Sequence, residues 1–276
     1  MKRAAVVAVV LLVVVTGFGS AAHGKPQKPP KELVERMFPR RVFGPVKNVI
    51  CITDPKGDWG FFNGQPAGLH DPYVDIRRAC SAYFKRTPRQ LAHLDTALAC
   101  GANAGGLVVC SSSNPPVGLT KTDIALFSME LAGTPPHDFP AGETARFQLF
   151  LDVGGDPATK FQASPESPDS SSVGTNMTYQ AVFNDPGTSV QDLQLLAVDR
   201  RTPQQFLTDS TARIWLRRNL VTFVVPEGET GPVSGARGGA FHGSRTAAGG
   251  GDAGQNNQDV TGGGVHAPYK LLPWIE

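Results

Sequence analysis

The sequence predicts a mostly β protein: an antiparallel β-sandwich, jelly-roll or immunoglobulin-like, carrying one short helical, disulfide-linked insertion. Three features point there. From Thr122 onward apolar residues recur at every second position in run after run, the period of a strand that buries one face. Clusters of Asp, Pro, Gly and Asn separate those runs, which is turn chemistry. Only one segment carries a convincing helical period, so the pattern lacks the regular strand–helix alternation of a parallel α/β protein.

Taken in order, the chain opens with Lys2 and Arg3, an apolar run from Ala4 to Val15, and the small residues Ser20, Ala21 and Ala22. A basic start, an apolar stretch and an A-x-A-like site form a secretory signal peptide over 1–22, with cleavage expected after Ala22. The apolar run is well short of the roughly 20 residues that span a bilayer, and no second long run follows. The mature chain is therefore expected to be secreted, with no transmembrane segment. Residues 23–45 are rich in proline and charge and read as a flexible N-terminal arm. The folded domain is expected over 46–230, beginning with the β-branched stretch VKNVICIT and the turn DPKGDWG.

The helix is expected between Arg86 and Gly101. Thr87 suits its N-cap, Pro88 its first turn, and Gln90 completes a capping box. Leu91, Leu94 and Leu98 share one face, leaving Arg86, Arg89, His93 and Asp95 for water. It lies within an insertion at about 79–121. Strands follow in TDIALFSMELAG, ARFQLFLDV, NMTYQAVFN and DLQLLAVDRR. In ARFQLFLDV, Phe147, Leu149 and Leu151 face one way and Arg146, Gln148 and Asp152 the other. In ARIWLRRNLVTFVVPEG, the residues Arg217 to Asn219 can turn two strands into a hairpin. Residues 231–264 hold 12 glycines, too little apolar surface to offset ordering entropy, and read as flexible. The apolar segment 265–276, VHAPYKLLPWIE, is expected to dock on the domain or meet a partner.

Removing 1–22 takes Lys2 and Arg3 with it, leaving 24 basic against 24 acidic residues. A neutral chain argues against nucleic acid, which demands a basic stripe. The four cysteines, Cys51, Cys80, Cys100 and Cys110, show no paired C-x-x-C spacing for zinc. In an exported chain they favour two disulfides. Three connectivities are open, and nearest-neighbour pairing, Cys51–Cys80 with Cys100–Cys110, is the simplest.

Catalytic signatures are thin. No G-x-S-x-G elbow and no H-E-x-x-H occur, and His70, His93, His137, His242 and His266 are scattered. A glycosidase-like pair drawn from Glu130, Glu143, Asp152 and Glu227 would require two carboxyls roughly 5–10 Å apart in one cleft. Calcium is a candidate cofactor: Asp54 and Asp58 in DPKGDWG, and Asp152 and Asp156 in DVGGDPATK, place oxygens about tight bends. The same residues also make ordinary turns. Trp59, Phe61, Phe62 and Tyr73 cluster in one loop, where exposed rings would stack on a sugar and buried ones would plug the sandwich.

The runs ITDPKGDWGFF, DPYVDIRRA, RFQLFLDVGGDPATKF, YQAVF and RRNLVTFVVP occur in an order that resembles secreted β-sandwich domains of the DOMON-like and family 9-type carbohydrate-binding-module superfamily. Those carry a central strand and turn of the form Y/F-x-V/L-x-L/I-D-x-D-G-D-P-x-T-G-F. Here Asp152 and Asp156 match, Val153-Gly154 stands for the usual D-G, and Lys160 for Gly. The likeness covers roughly 46–230. It implies a noncatalytic module that binds sugars, haem or calcium, or no known ligand; no His or Met here falls in a haem-ligand motif. The expected function is a secreted noncatalytic binding or cell-surface-associated protein whose partner is an extracellular glycan or cell-surface component. The alternatives are a secreted hydrolase and an interaction protein acting through its C-terminal segment.

Overall fold

Among the described residues, the alternating runs pair into two antiparallel sheets of seven strands each. The computed structural model describes residues 28–54, 60–61, 72–84, 86–103, 106–110, 124–136, 144–153, 177–183, 194–199, 205–207, 209–230, 236–246 and 257–260. The expected signal peptide and the segment 265–276 lie outside them. Numbered in chain order, the first sheet runs β1 (Ile50–Thr53), β3 (Ile76–Phe84), β6 (Ile124–Leu131), β12 (Leu220–Pro226), β11 (Arg213–Arg217), β5 (Gly106–Cys110) and β4 (Gly101–Asn103). The second runs β10 (Gln205–Phe206), β9 (Gln194–Asp199), β8 (Met177–Phe183), β7 (Thr144–Val153), β13 (Ala236–Thr246), β14 (Asn257–Val260) and β2 (Gly60–Phe61). The helices are α1 (Lys31–Met37), α2 (Arg40–Phe43), α3 (Pro88–Ala97) and the short α4 (Glu227–Thr230).

Two apolar clusters explain the strand patterns. The first draws Phe127, Met129, Phe223 and Ile214 from the first sheet and Phe147, Leu149, Leu151, Met177, Tyr179 and Leu195 from the second. Each fully buried side chain of this size contributes about 1.5–3 kcal/mol. The second cluster lies on the other face of the first sheet, where Leu126, Cys80, Val224 and Trp215 meet Met37, Phe38, Val42 and Phe43 together with Leu91 and Leu94 of α3 and Leu98 at its C-cap. Alternate residues of β6 thus feed opposite clusters. The imperfect alternation of IALFSMEL is the mark of a strand covered on both faces.

Several expectations hold. The pairings Cys51–Cys80 and Cys100–Cys110 form as expected. Thr87 and Gln90 make the full capping box at α3, with Pro88 in its first turn. Arg217 pairs with Leu220 across a two-residue turn.

Others are corrected. Residues 31–43 of the expected arm form two helices, with Met37, Phe38, Val42 and Phe43 buried to within 3%. Pro30 and Pro39, part of the proline content that suggested a flexible arm, stand at the helix N-caps, the end of a helix that tolerates proline. The expected insertion at 79–121 is not an appendage: Cys80 lies inside β3, and β5 extends the first sheet by pairing with β11. The glycine-rich 231–264 contains β13, paired with β7 from Ala236 to Thr246, and β14 beside it. A ladder is made by the main chain, so low apolar content did not prevent it. Arg86, expected in water, is 8% exposed and donates to the Phe43 carbonyl at 2.9 Å.

Glycine is required at position 106: it opens β5 at φ +146, and a Cβ there would collide with the Leu216 carbonyl oxygen.

The end of α3 is gripped from the sheet. Arg213 Nη1 donates to the carbonyls of Leu98 (2.7 Å) and Asp95 (3.3 Å), while Nη2 meets Asp95 Oδ1 at 2.7 Å. Arg213 pairs in register with Cys110, whose disulfide holds Cys100 just beyond the helix. A cation at carbonyls left open by a helix end is favourable. Breaking a buried pair costs about 3–5 kcal/mol, and Asp95 is partly in water, so Arg213→Met is expected to destabilise by about 2–3 kcal/mol in urea unfolding. A loss below about 1 kcal/mol would show that apolar packing alone holds α3.

Candidate functional site

Among the described residues, the expected site residues are not brought together. Asp54 follows β1 in the first sheet, its N–H donating to the Arg77 carbonyl at 3.0 Å. Asp152 lies in β7 of the second sheet, opposite Gly238. Asp58 and Asp156 lie outside the described residues, and among the described residues no group of three or more His, Cys, Asp or Glu could hold a metal ion. Tyr73 is buried in the cluster shared by the sheets, so it is core rather than a sugar platform. Phe61 is in β2, while Trp59 and Phe62 lie outside the described residues. Of the carboxylates named for hydrolysis, Glu130 accepts from Arg36 (3.2 Å) and Arg78 (3.1 Å). Glu143 lies outside the described residues, and Glu227 belongs to α4.

A carboxylate that sequence reasoning passed over is held by four hydrogen bonds. Glu229 of α4 accepts at Oε2 from Tyr179 Oη (3.0 Å) and Ser210 Oγ (2.8 Å). At Oε1 it accepts from the Thr211 N–H (2.5 Å) and Thr211 Oγ1 (3.3 Å). Tyr179 belongs to the second sheet, and Ser210 and Thr211 lead into β11 of the first. Desolvation nevertheless outweighs these donors and raises the Glu229 carboxyl above its usual value near 4.5. Its only trace in the sequence is EGET directly after a strand, which does not reveal that Tyr179 would arrive from 50 residues away.

A second feature has the form of a ligand site. Between α1 and the segment leading into β1 lies a cavity of about 670 Å³, lined by Lys28, Pro29, Lys31, Val34, Val46, Lys47, Asn48, Val49 and Ile50. Lys31 and Val34 are one turn apart on α1 and so share a side of the helix. On the facing segment Asn48 adopts φ +49, a left-handed conformation that asparagine takes more readily than most residues. Val46 and Val49 are half-buried against the second cluster, and Ile50 is buried in the first. The lysines are exposed at the rim. The floor is therefore aliphatic and the rim cationic.

No protein-family model matches the chain, and no curated protein or solved structure matches it. Among the described residues no helix is long and apolar enough to cross a membrane.

Because the folded carboxyl of Glu229 titrates above its unfolded counterpart, the stability linked to this group is present below pH 4.5 and is lost as pH rises through the folded value. Glu229→Gln removes the titration. Its melting temperature relative to the native chain is expected to move in favour of the variant between pH 4 and pH 7, read by thermal unfolding. Glu229→Ala leaves buried donors unmatched and should cost about 1–3 kcal/mol.

Proposed function

We propose that this is an exported, noncatalytic binding protein: a β-sandwich whose first sheet is backed by a helical layer, with its ligand site in the lysine-rimmed cavity between α1 and β1. The observation that carries this reading is the cavity itself. It falls within the roughly 300–1,000 Å³ range of small-molecule sites. Its walls are tied to the core through Ile50, and one residue further on Cys51 is bonded to Cys80. A wall held in this way is formed before the ligand arrives, which lowers the cost of binding. The sandwich arrangement is supported by the apolar cluster that takes side chains from both sheets.

The secreted location is supported by the basic, apolar and small-residue order of the N-terminus and by two disulfides with no free cysteine among the described residues. A hydrolytic reading is less favoured because Glu130, one of the carboxylates it would draw on, is held between two arginines.

The test uses the oxidised mature chain and a variant, Val34→Trp, that fills the cavity. A panel of glycans, lipids and small metabolites is screened by thermal shift, since a ligand that binds only the folded form raises the melting temperature. A ligand is expected that stabilises the native chain and not the variant. Turnover of that ligand, or stabilisation undiminished in Val34→Trp, would refute the reading.

A further inference from the structure

We propose that the cavity takes a single-chain anionic amphiphile: an aliphatic tail ending in a carboxylate, of the fatty-acid class. This rests on the reading of the cavity as the ligand site and adds the chemistry of the ligand.

Charge is the first support. Lys28, Lys31 and Lys47 come from two separate stretches of chain, yet all three line one cavity of about 670 Å³ whose remaining lining is proline, asparagine and aliphatic. Glu35, on the same helix as Lys31, is engaged elsewhere, its Oε1 accepting from the Arg40 N–H at 2.9 Å. Three ammonium groups around one space repel one another, and an anion among them relieves that repulsion. In a mature chain expected to carry 24 basic and 24 acidic residues, this is a local concentration of charge rather than a basic surface. The complementary ligand therefore presents its anionic group at the rim.

The floor supplies the second half. Val34, Val46, Val49, Ile50 and Pro29 offer methyl and methylene surface, and among the described residues no aromatic ring lines the cavity. A sugar is held by stacking on rings together with hydrogen bonding, and the described lining offers polar groups only from Asn48 and the three lysines, with no ring beside them. An alkyl chain asks only for removal from water. Each methylene buried tightens binding by about fourfold, so affinity should climb steeply with chain length until the cavity is full. The left-handed turn at Asn48 brings Lys47, Asn48 and Val49 into the lining together, which sets a rim cation directly beside the apolar floor.

The experiment is isothermal titration of the oxidised mature protein at pH 7.5 with dodecanoate below its micelle concentration. Comparison ligands are decanoate, the neutral glycerol monoester of dodecanoic acid, and dodecyltrimethylammonium. Dodecanoate is expected to bind saturably at one site, decanoate up to about 15-fold more weakly, and the neutral and cationic compounds at least tenfold more weakly. The exposed pair Lys31→Met and Lys47→Met, which leaves the fold untouched, should lower dodecanoate affinity at least tenfold without changing the melting temperature. Absence of saturable dodecanoate binding, or equal binding of the neutral ester, would overturn the ligand class. In either case the cavity reading is judged separately by whether another ligand from the screen is lost in Val34→Trp. Dodecanoate binding that survives Val34→Trp unchanged would instead remove the cavity itself.

Discussion

The first sheet has no face left for water, and most of the architecture follows from that constraint. One row of directly paired residues crosses all seven of its strands: Cys51, Cys80, Ser128, Thr222, Trp215, Val108 and Gly101. This row looks toward the helices. A polar group so placed costs free energy unless it is paired. Cys51 and Cys80 are paired by bonding to each other, and Thr222 by donating to Ser128 Oγ at 2.9 Å. Trp215, fully buried, becomes the surface on which the helical layer is arranged: Phe43 meets it edge-on at 5.2 Å, and Phe38 meets Phe43 in the same way. The helices are thus the lid that a doubly apolar sheet requires.

Where the two sheets are joined, the chemistry changes from apolar to polar. The shared cluster supplies the area, but apolar contact is non-directional and does not by itself fix one sheet's register against the other. Glu229 supplies direction. Its two oxygens take donors from β8 and from the residues leading into β11, so a small slide of either sheet would strand a buried carboxylate. An arrangement of this kind adds specificity at a cost in desolvation, and the upward shift of the Glu229 carboxyl is the sign of that cost.

What was legible in the sequence follows the range of the interactions concerned. The capping box at Thr87 and Gln90, the turn after Arg217 and the face formed by Phe147, Leu149 and Leu151 rest on neighbours within a few positions, and all were readable. The layer formed by α1 and α2 was not. Seven and four residues bounded by prolines carry too little period to identify, and the helices exist because a distant sheet needs cover. Strand β13 was hidden for the opposite reason: glycine removes the side-chain pattern while leaving the ladder intact. Glu229 looked like one acid among many, because its donors lie 18 to 50 positions away. The lysines of the cavity were unremarkable in sequence, since only the fold sets residues 28–34 against 46–50.

The cavity is itself a consequence of how the lid is fastened. The far end of α3 is held by Arg213 and by the disulfide at Cys100. The C-terminal half of α1 is held by Met37 and Phe38 in the apolar layer, with Arg36 reaching Glu130 across the rim. The start of α1 is held more lightly: Leu33 packs, partly buried, against the same layer, and Pro30 at the N-cap makes no side-chain cap hydrogen bond. Lys31 and Val34 from this part of the helix form one wall of the cavity. The segment 46–49, turned outward at Asn48 before β1 is captured by the Cys51–Cys80 bond, forms the opposite wall. Cladding alone would be expected to fill such a gap with larger apolar side chains. Valines and lysines line it instead, and that composition is what the proposed ligand site rests on.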